Sequence, residues 1–318
     1  MNNSRRELMQ AAGAIAVGTA VAGVAKAQEH TAEADGQVRL FPGFKAAKIE
    51  TSGATINVVS GGQGPPLLLL HGAPQSLATW YKIAPQLAKD YTVVAADLRG
   101  YGDSSKPADG VNHVNYSKRA MALDGVEVMH HFGFEKFAVV GHDRGGRVAH
   151  RMTLDHADKV TKVAVIDIVP TYKLYHNVTR EFATSYYHWF FFIQPAPFPE
   201  TLLNNSIDFY MGRGAGDAHA EYVRCFKNPA TVHAMCEDYR ASASIDLEHD
   251  EADLNRKIEC PFLTLWGARG AMGRMYDVLA AWRERAVNVS GKGLPGGHSL
   301  QEEKPEETLA ELQAFLKA

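Results

Sequence analysis

The sequence predicts an α/β fold, with a mostly parallel β-sheet, helices on both of its faces and a helical cap inserted before the penultimate strand. Three observations carry that expectation. Pro66–His71, Tyr91–Asp97 and Phe137–Gly141 are short, continuous apolar runs, as expected of strands buried on both faces. Helical spacing at Ser117–Phe132 and Arg144–His156 alternates with them, the pattern of helices laid over a parallel sheet. Residues 171–258 then change character: they are rich in Tyr, Phe, His and Asn and lack buried-strand runs.

In chain order, Phe44–Glu50 and Thr55–Ser60 read as a hairpin that precedes the apolar strands. Val160–Ile168 is a further strand, strand character returns at Cys260–Trp266, and helices follow over Tyr276–Arg285 and Pro305–Lys317. The expected organisation is therefore a core of residues 36–170 and 259–318 with a cap of 171–258. Ligands of open α/β sheets bind at the carboxyl edge of the strands, where such a cap closes the site from water.

Composition narrows the function classes. With 46% hydrophobic and 22% charged residues in 318, the chain is globular rather than disordered. A net charge of −3 offers no basic field for nucleic acid. Three cysteines, Cys225, Cys236 and Cys260, make no disulfide framework, and free thiols are expected.

Residues 1–27 read as an export signal. Arg5 and Arg6 form the twin-arginine pair of Ser4-Arg5-Arg6-Glu7-Leu8-Met9, and an apolar run from Ala11 to Ala25 follows. That run is too short to span a bilayer comfortably, and Ala25-Lys26-Ala27 supplies a small-x-small cleavage pattern. A bacterial periplasmic or exported protein without lasting membrane anchoring is expected. Its mature form would keep 30 basic and 35 acidic residues, a net −5.

The chemistry concentrates where a buried strand runs into Gly141-His142-Asp143-Arg144-Gly145 and then a helix. This is a nucleophile elbow, with glycines permitting the tight turn and a carboxylate at the nucleophile position. No Gly-x-Ser-x-Gly occurs in the chain, so an acyl-serine mechanism lacks its nucleophile. A carboxylate instead attacks saturated carbon and forms an ester to the enzyme. His71-Gly72-Ala73-Pro74 follows the Leu-rich strand, and the backbone N–H groups of Ala73 and Arg144 are the expected oxyanion donors. Gly296-Gly297-His298 stands before the last helix and provides the candidate base. No carboxylate follows Phe262–Gly267, whereas Asp167 ends an apolar strand where a lone charge would be costly. Asp167 is therefore the expected partner of His298. The loop Asp97–Ser104 reads as a structural turn, and no His/Asp ligand spacing suggests a metal or other cofactor.

These motifs resemble the fluoroacetate (haloacetate) dehalogenases, a branch of the α/β-hydrolases close to epoxide hydrolases and haloalkane dehalogenases. The resemblance rests on His142-Asp143-Arg144-Gly145 with Arg147, on Tyr187-His188-Trp189-Phe190, and on Cys236-Glu237-Asp238-Tyr239-Arg240. It implies that Arg144 and Arg147 hold a substrate carboxylate and that His188, Trp189 and Tyr239 hydrogen-bond the departing halide. It also implies a small anionic 2-halo acid as the substrate and a homodimer as a possible assembly. Two arginines at i and i+3 on a first helical turn suit such an anion physically. Two departures bear on the substrate: Ala73 where the family often has a bulky aromatic, and a shorter cap between Pro199 and Tyr239. An epoxide hydrolase with the same nucleophile, using Tyr172 or Tyr239 as acid, and a non-catalytic small-acid sensor are the rival readings.

The export reading has a direct test. Replacing Arg5 and Arg6 with lysine should leave uncleaved precursor in the cytoplasm, seen by fractionation and mass; a processed periplasmic product would refute the twin-arginine assignment.

Overall fold

The computed structural model describes residues 39–212, 214 and 216–318, so the export segment expected at 1–27 lies outside it. Strands β1 (Lys45–Glu50) and β2 (Thr55–Gly61) form the expected antiparallel hairpin, and β2 pairs antiparallel with β4 (Thr92–Ala96). The remaining pairings are all parallel: β3 (Pro66–Leu70), β5 (Phe137–His142), β6 (Val160–Ile166), β7 (Phe262–Gly267) and β8 (Val289–Leu294). The order across the eight-stranded sheet is β1-β2-β4-β3-β5-β6-β7-β8.

Continuous apolar runs are needed because the sheet separates two cores. Leu68, Val139, Val163 and Val165 join one buried cluster, while Leu67, Leu69, Val140, Ala164 and Ile166 join the other. Successive side chains of a strand point to opposite faces, so both parities must be apolar. Strand β8 was not delimited from the sequence, for a physical reason. It reads Val-Ser-Gly-Lys-Gly-Leu, pairs only with β7, and alternates between half-buried and exposed positions until Leu294.

From β3 the chain moves outward to β4 and then returns to β5 on the other side. That reversal makes a crevice at the carboxyl ends of β3 and β5. Helix α1 (Lys118–His131) and helix α2 (Arg144–Asp155) pack together beside it. Between β6 and β7 the helices run from Thr171 to Ala252, among them α3 (Pro229–Ser242) and α4 (Ile245–Ala252). The core resumes by Ile258, which forms a β-bridge with Ala286. All three cysteines are free thiols. Among the described residues no helix is long and apolar enough to cross a membrane.

Every residue of α2 from Arg144 to Leu154 is buried, three arginines included. A buried charge needs a partner. Arg151 finds Asp250 at 2.7 Å and Asp253 at 2.5 Å on or just after α4, with Asp155 at 3.2 Å on its own helix. This cluster ties the last cap helix to the core. Arg119 and Arg256 still pair with Asp155 and Asp253, but Arg151→Met would leave buried Asp250 without its partner and should cost about 3–5 kcal/mol in urea denaturation; a loss below about 1 kcal/mol would show that the cluster does not carry the docking.

Candidate active site

The turn from β5 into α2 holds Asp143 at φ 45° and ψ −114°, a conformation that L-residues rarely adopt. Gly145 makes it possible: a Cβ there would stand 2.4 Å from the Leu70 carbonyl oxygen. The nucleophile candidate is thereby pushed into the crevice between β3 and β5. Its Oδ2 accepts a hydrogen bond from the Ala73 backbone N–H at 3.2 Å, so one carboxylate oxygen already rests in the expected oxyanion hole. The Arg144 N–H, first in its helix, has no intrahelical acceptor and is available as the second donor.

Asp167 and His298 meet as expected. His298 Nδ1 donates to Asp167 Oδ2 at 2.6 Å, and Asp167 Oδ1 accepts from the Gly267 N–H at 2.9 Å. Gly267 ends β7, immediately before the loop Ala268–Met272 that carries no carboxylate. A Cβ at that point would lie 1.8 Å from the Gly297 carbonyl oxygen, so the His298 turn can cross the end of β7 only over a bare Cα. The Glu303 carboxylate brackets the same turn by accepting from the N–H groups of Gly297 at 2.7 Å and Ser299 at 3.1 Å.

The electrostatics keep the nucleophile ionised. Burial alone would raise the Asp143 pKa, but the charges of His298, Arg144 and Arg147 outweigh it and the net shift is downward. Burial also works against a charged His298; its bond to Asp167 and the charges of Asp167 and Asp143 prevail and raise it to about 9. His142 donates from Nε2 to the His298 carbonyl at 3.0 Å, and burial and the nearby His298 lower it to about 3, so it stays neutral.

Arg144 and Arg147 are both buried, and their guanidinium carbons stand 5.5 and 4.5 Å from the centroid of the Trp189 ring. Their surroundings differ. Arg144 bonds Asp238 through Nε and Nη2, both at 2.8 Å. Arg147 Nη1 donates only to neutral oxygens, the Val169 carbonyl at 3.0 Å and Thr171 Oγ1 at 2.9 Å. Burial, with repulsion from Arg144, lowers Arg147 to about 10. Two donors remain buried without an acceptor: Arg144 Nη1 and Arg147 Nε. Such orphans are rare in proteins and fit a site that receives an anion.

The three residues expected at a leaving group are grouped beside these arginines. The rings of His188 and Trp189 approach Tyr239 at 5.9 and 5.7 Å, and Arg144 lies over the Tyr239 ring at 4.1 Å. Burial, helped by His298 and Arg144, lowers His188 to about 4, so it is a neutral N–H donor. Burial and the Asp143 charge raise Tyr239, which stays a phenol. Tyr172, the other acid considered for epoxide opening, stacks on His176 at 3.7 Å instead. Two tyrosines missed in the sequence belong here. Tyr186 is raised by burial and by the charges of Asp167 and Asp143, and Tyr276 keeps a buried, unpartnered hydroxyl within electrostatic range of Arg147.

Asp109, His233 and Glu237 place one possible metal-ligating atom each within 4.8 Å of one another, a convergence invisible in their spacing. Arg240 donates to Glu237 and Glu200 at 2.7 Å each, and His113 binds Glu237 at 2.6 Å. Arg240 compensates Glu237, and His233 Nε2 meets Asp109 at 2.9 Å, so the cluster acts as a polar clasp between α3 and the loop before α1.

The α/β-hydrolase fold family matches residues 65–305. The chain belongs to that family. Among characterised α/β-hydrolases, a fluoroacetate dehalogenase of Burkholderia sp is 46% identical over 289 residues, covering 87% of this chain and 95% of that protein. A soluble epoxide hydrolase of Corynebacterium sp. (strain C12) is 33% identical, covering 80% and 91%. In structure, an α/β-hydrolase of Nostoc sp PCC 7120 superposes with a TM-score of 0.84 at 57% identity, covering 86% of this chain and 98% of that one.

The charge coupling in this α/β-hydrolase site is measurable. Because Asp143 helps to raise His298, Asp143→Asn should lower the His298 pKa below that of the unaltered protein, followed by NMR titration of the imidazole. An unchanged titration would show that the two groups are not coupled.

Proposed function

We propose that this α/β-hydrolase is a hydrolytic dehalogenase that converts short 2-halo acids, fluoroacetate and chloroacetate foremost, to 2-hydroxy acids and halide. The observation that carries the reading is the pair of orphaned guanidinium donors beside an ionised carboxylate nucleophile. An anionic substrate satisfies both donors and presents its α-carbon to Asp143. The likeness to the Burkholderia fluoroacetate dehalogenase supports the same chemistry.

In the proposed mechanism Asp143 Oδ1 attacks the α-carbon while Oδ2 stays at the Ala73 N–H. The carbon–halogen bond breaks as the carbon–oxygen bond forms, and halide leaves toward the N–H and O–H donors of His188, Trp189 and Tyr239. The ester no longer carries the Asp143 charge, which had helped to keep His298 protonated. His298 becomes more acidic, gives up its proton to solvent across its accessible edge, and then acts as general base toward water. Water adds to the Asp143 carbonyl carbon, and the oxyanion that develops on Oδ2 falls between the Ala73 and Arg144 N–H groups. Collapse expels the 2-hydroxy acid, which takes a proton from His298. Asp167 fixes the tautomer and stabilises the imidazolium throughout.

Epoxide hydrolysis is the second reading, favoured by the Corynebacterium relative and by the tyrosine hydroxyls near Asp143. A neutral epoxide leaves the two guanidinium donors unsatisfied, which ranks it below an acid substrate. The mature protein is proposed to work in the periplasm, on the strength of its twin-arginine segment.

Ion-selective measurement of fluoride and chloride release from a panel of 2-halo acids, set beside epoxide opening, tests the reading. Halide release should be lost in Asp143→Asn, and His298→Asn should accumulate an adduct of carboxymethyl mass. Bound substrate without any adduct would exclude the two-step route.

The leaving-group assignment makes a sharper forecast. Removing one donor aimed at developing charge costs about 3–4 kcal/mol in a dry site, or roughly two to three decades in rate. Fluoride depends on such donors more than bromide does. Trp189→Phe and Tyr239→Phe should therefore lower the fluoro-to-bromo ratio of single-turnover rates; an unaltered ratio would assign both rings to packing.

A further inference from the structure

Arg144 is held on three sides. Its Nε and Nη2 donate to the two oxygens of the Asp238 carboxylate, both at 2.8 Å. Nη2 also reaches the Asp238 carbonyl at 2.9 Å and Ser242 Oγ at 2.5 Å, one turn further along α3. The Tyr239 ring covers the guanidinium at 4.1 Å. One nitrogen, Nη1, remains without a partner. Asp238 is itself fully buried, and it accepts from the Tyr101 hydroxyl at 2.6 Å and from Lys118 Nζ. One cap carboxylate thus compensates two buried cations from the core.

Arg147 also lies over a ring, that of Trp189 at 4.5 Å, but it has no carboxylate partner. It makes no ion pair within 4 Å among the described residues, and its Nη1 donates to two neutral oxygens. The two guanidiniums, one held by four hydrogen bonds and the other by two, cannot serve the substrate in the same way.

From this asymmetry we infer that Asp238 is a positioning residue of the reaction, acting through Arg144. It neutralises the Arg144 charge and fixes the guanidinium so that Nη1 alone faces the substrate carboxylate. Arg147 supplies the uncompensated charge that draws the anion in, and Arg144 supplies direction. The inference rests on the dehalogenase reading. It adds that the cap sets the aim of the core's carboxylate cradle, because Asp238 and the halide-facing Tyr239 are consecutive residues of α3. The carboxylate end and the leaving-group end of the substrate are then gauged by one dipeptide.

The test compares chloroacetate with its neutral analogue chloroacetamide in the His298→Asn background, where the Asp143 adduct accumulates and its formation can be timed by intact mass. A carboxylate needs the aimed Nη1, whereas an amide in its place does not carry the charge that Nη1 binds. Asp238→Asn should lower the chloroacetate-to-chloroacetamide ratio of alkylation rates by about tenfold or more, the worth of a hydrogen bond to a charged group. If Asp238 only docks the cap, both rates fall together and the ratio holds, which overturns the inference. Should Asp238→Asn fail to fold, Ser242→Ala removes one bond to the same guanidinium and should lower the ratio about threefold; an unchanged ratio there overturns the inference equally. Absence of any chloroacetate adduct in the His298→Asn protein with Asp238 intact would instead refute the dehalogenase reading itself.

Discussion

A carboxylate that is sealed from water must nevertheless stay ionised, and the rest of the site is organised around that requirement. Asp143 is 5% exposed. Left to burial it would take up a proton and lose its nucleophilicity. Three charged neighbours oppose this, and each has a cost of its own. Arg144 and Arg147 are equally buried and need acceptors, which brings Asp238, Val169 and Thr171 into the design. His298 needs Asp167 to carry its proton. The imidazoles His142 and His188 are kept neutral by the same burial, so they add donors without adding charge.

The same logic extends to the boundary between core and cap. Apolar packing joins the two, but the directional contacts are ionic. Arg144 and Lys118 meet Asp238, and Arg151 meets Asp250 and Asp253. Breaking one partner of a buried pair is far more harmful than leaving a hydrophobic contact slightly loose. The pairs therefore define a single register for the cap over the crevice, where an apolar seam alone would permit sliding.

Much of this was legible in the sequence where the signal is local. The elbow carries its own glycines, the strands their apolar runs, and Asp167 announces itself as a charge ending a buried strand. Once β7 is seen to end beneath Gly297, the glycine at position 267 acquires a steric cause. What could not be read are convergences between distant segments. Asp238 meets Lys118 across 120 positions, and Tyr186 and Tyr276 sit in an aromatic-rich background that gives no hint of orientation. Tyr101, in a loop read as purely structural, turns out to hold Asp238. Strand β8 escaped because an edge strand rich in glycine shows neither alternation nor an apolar run.

The triad is unevenly open to solvent, and this separates the two halves of the reaction in space. Asp143 and Asp167 are enclosed, whereas the His298 side chain keeps 39% of its surface accessible. In the proposed reaction a dry carboxylate performs the displacement, while the part-exposed imidazole is the member of the triad that solvent can reach. A site arranged this way can keep water from the nucleophile and still supply it to the base that the ester requires.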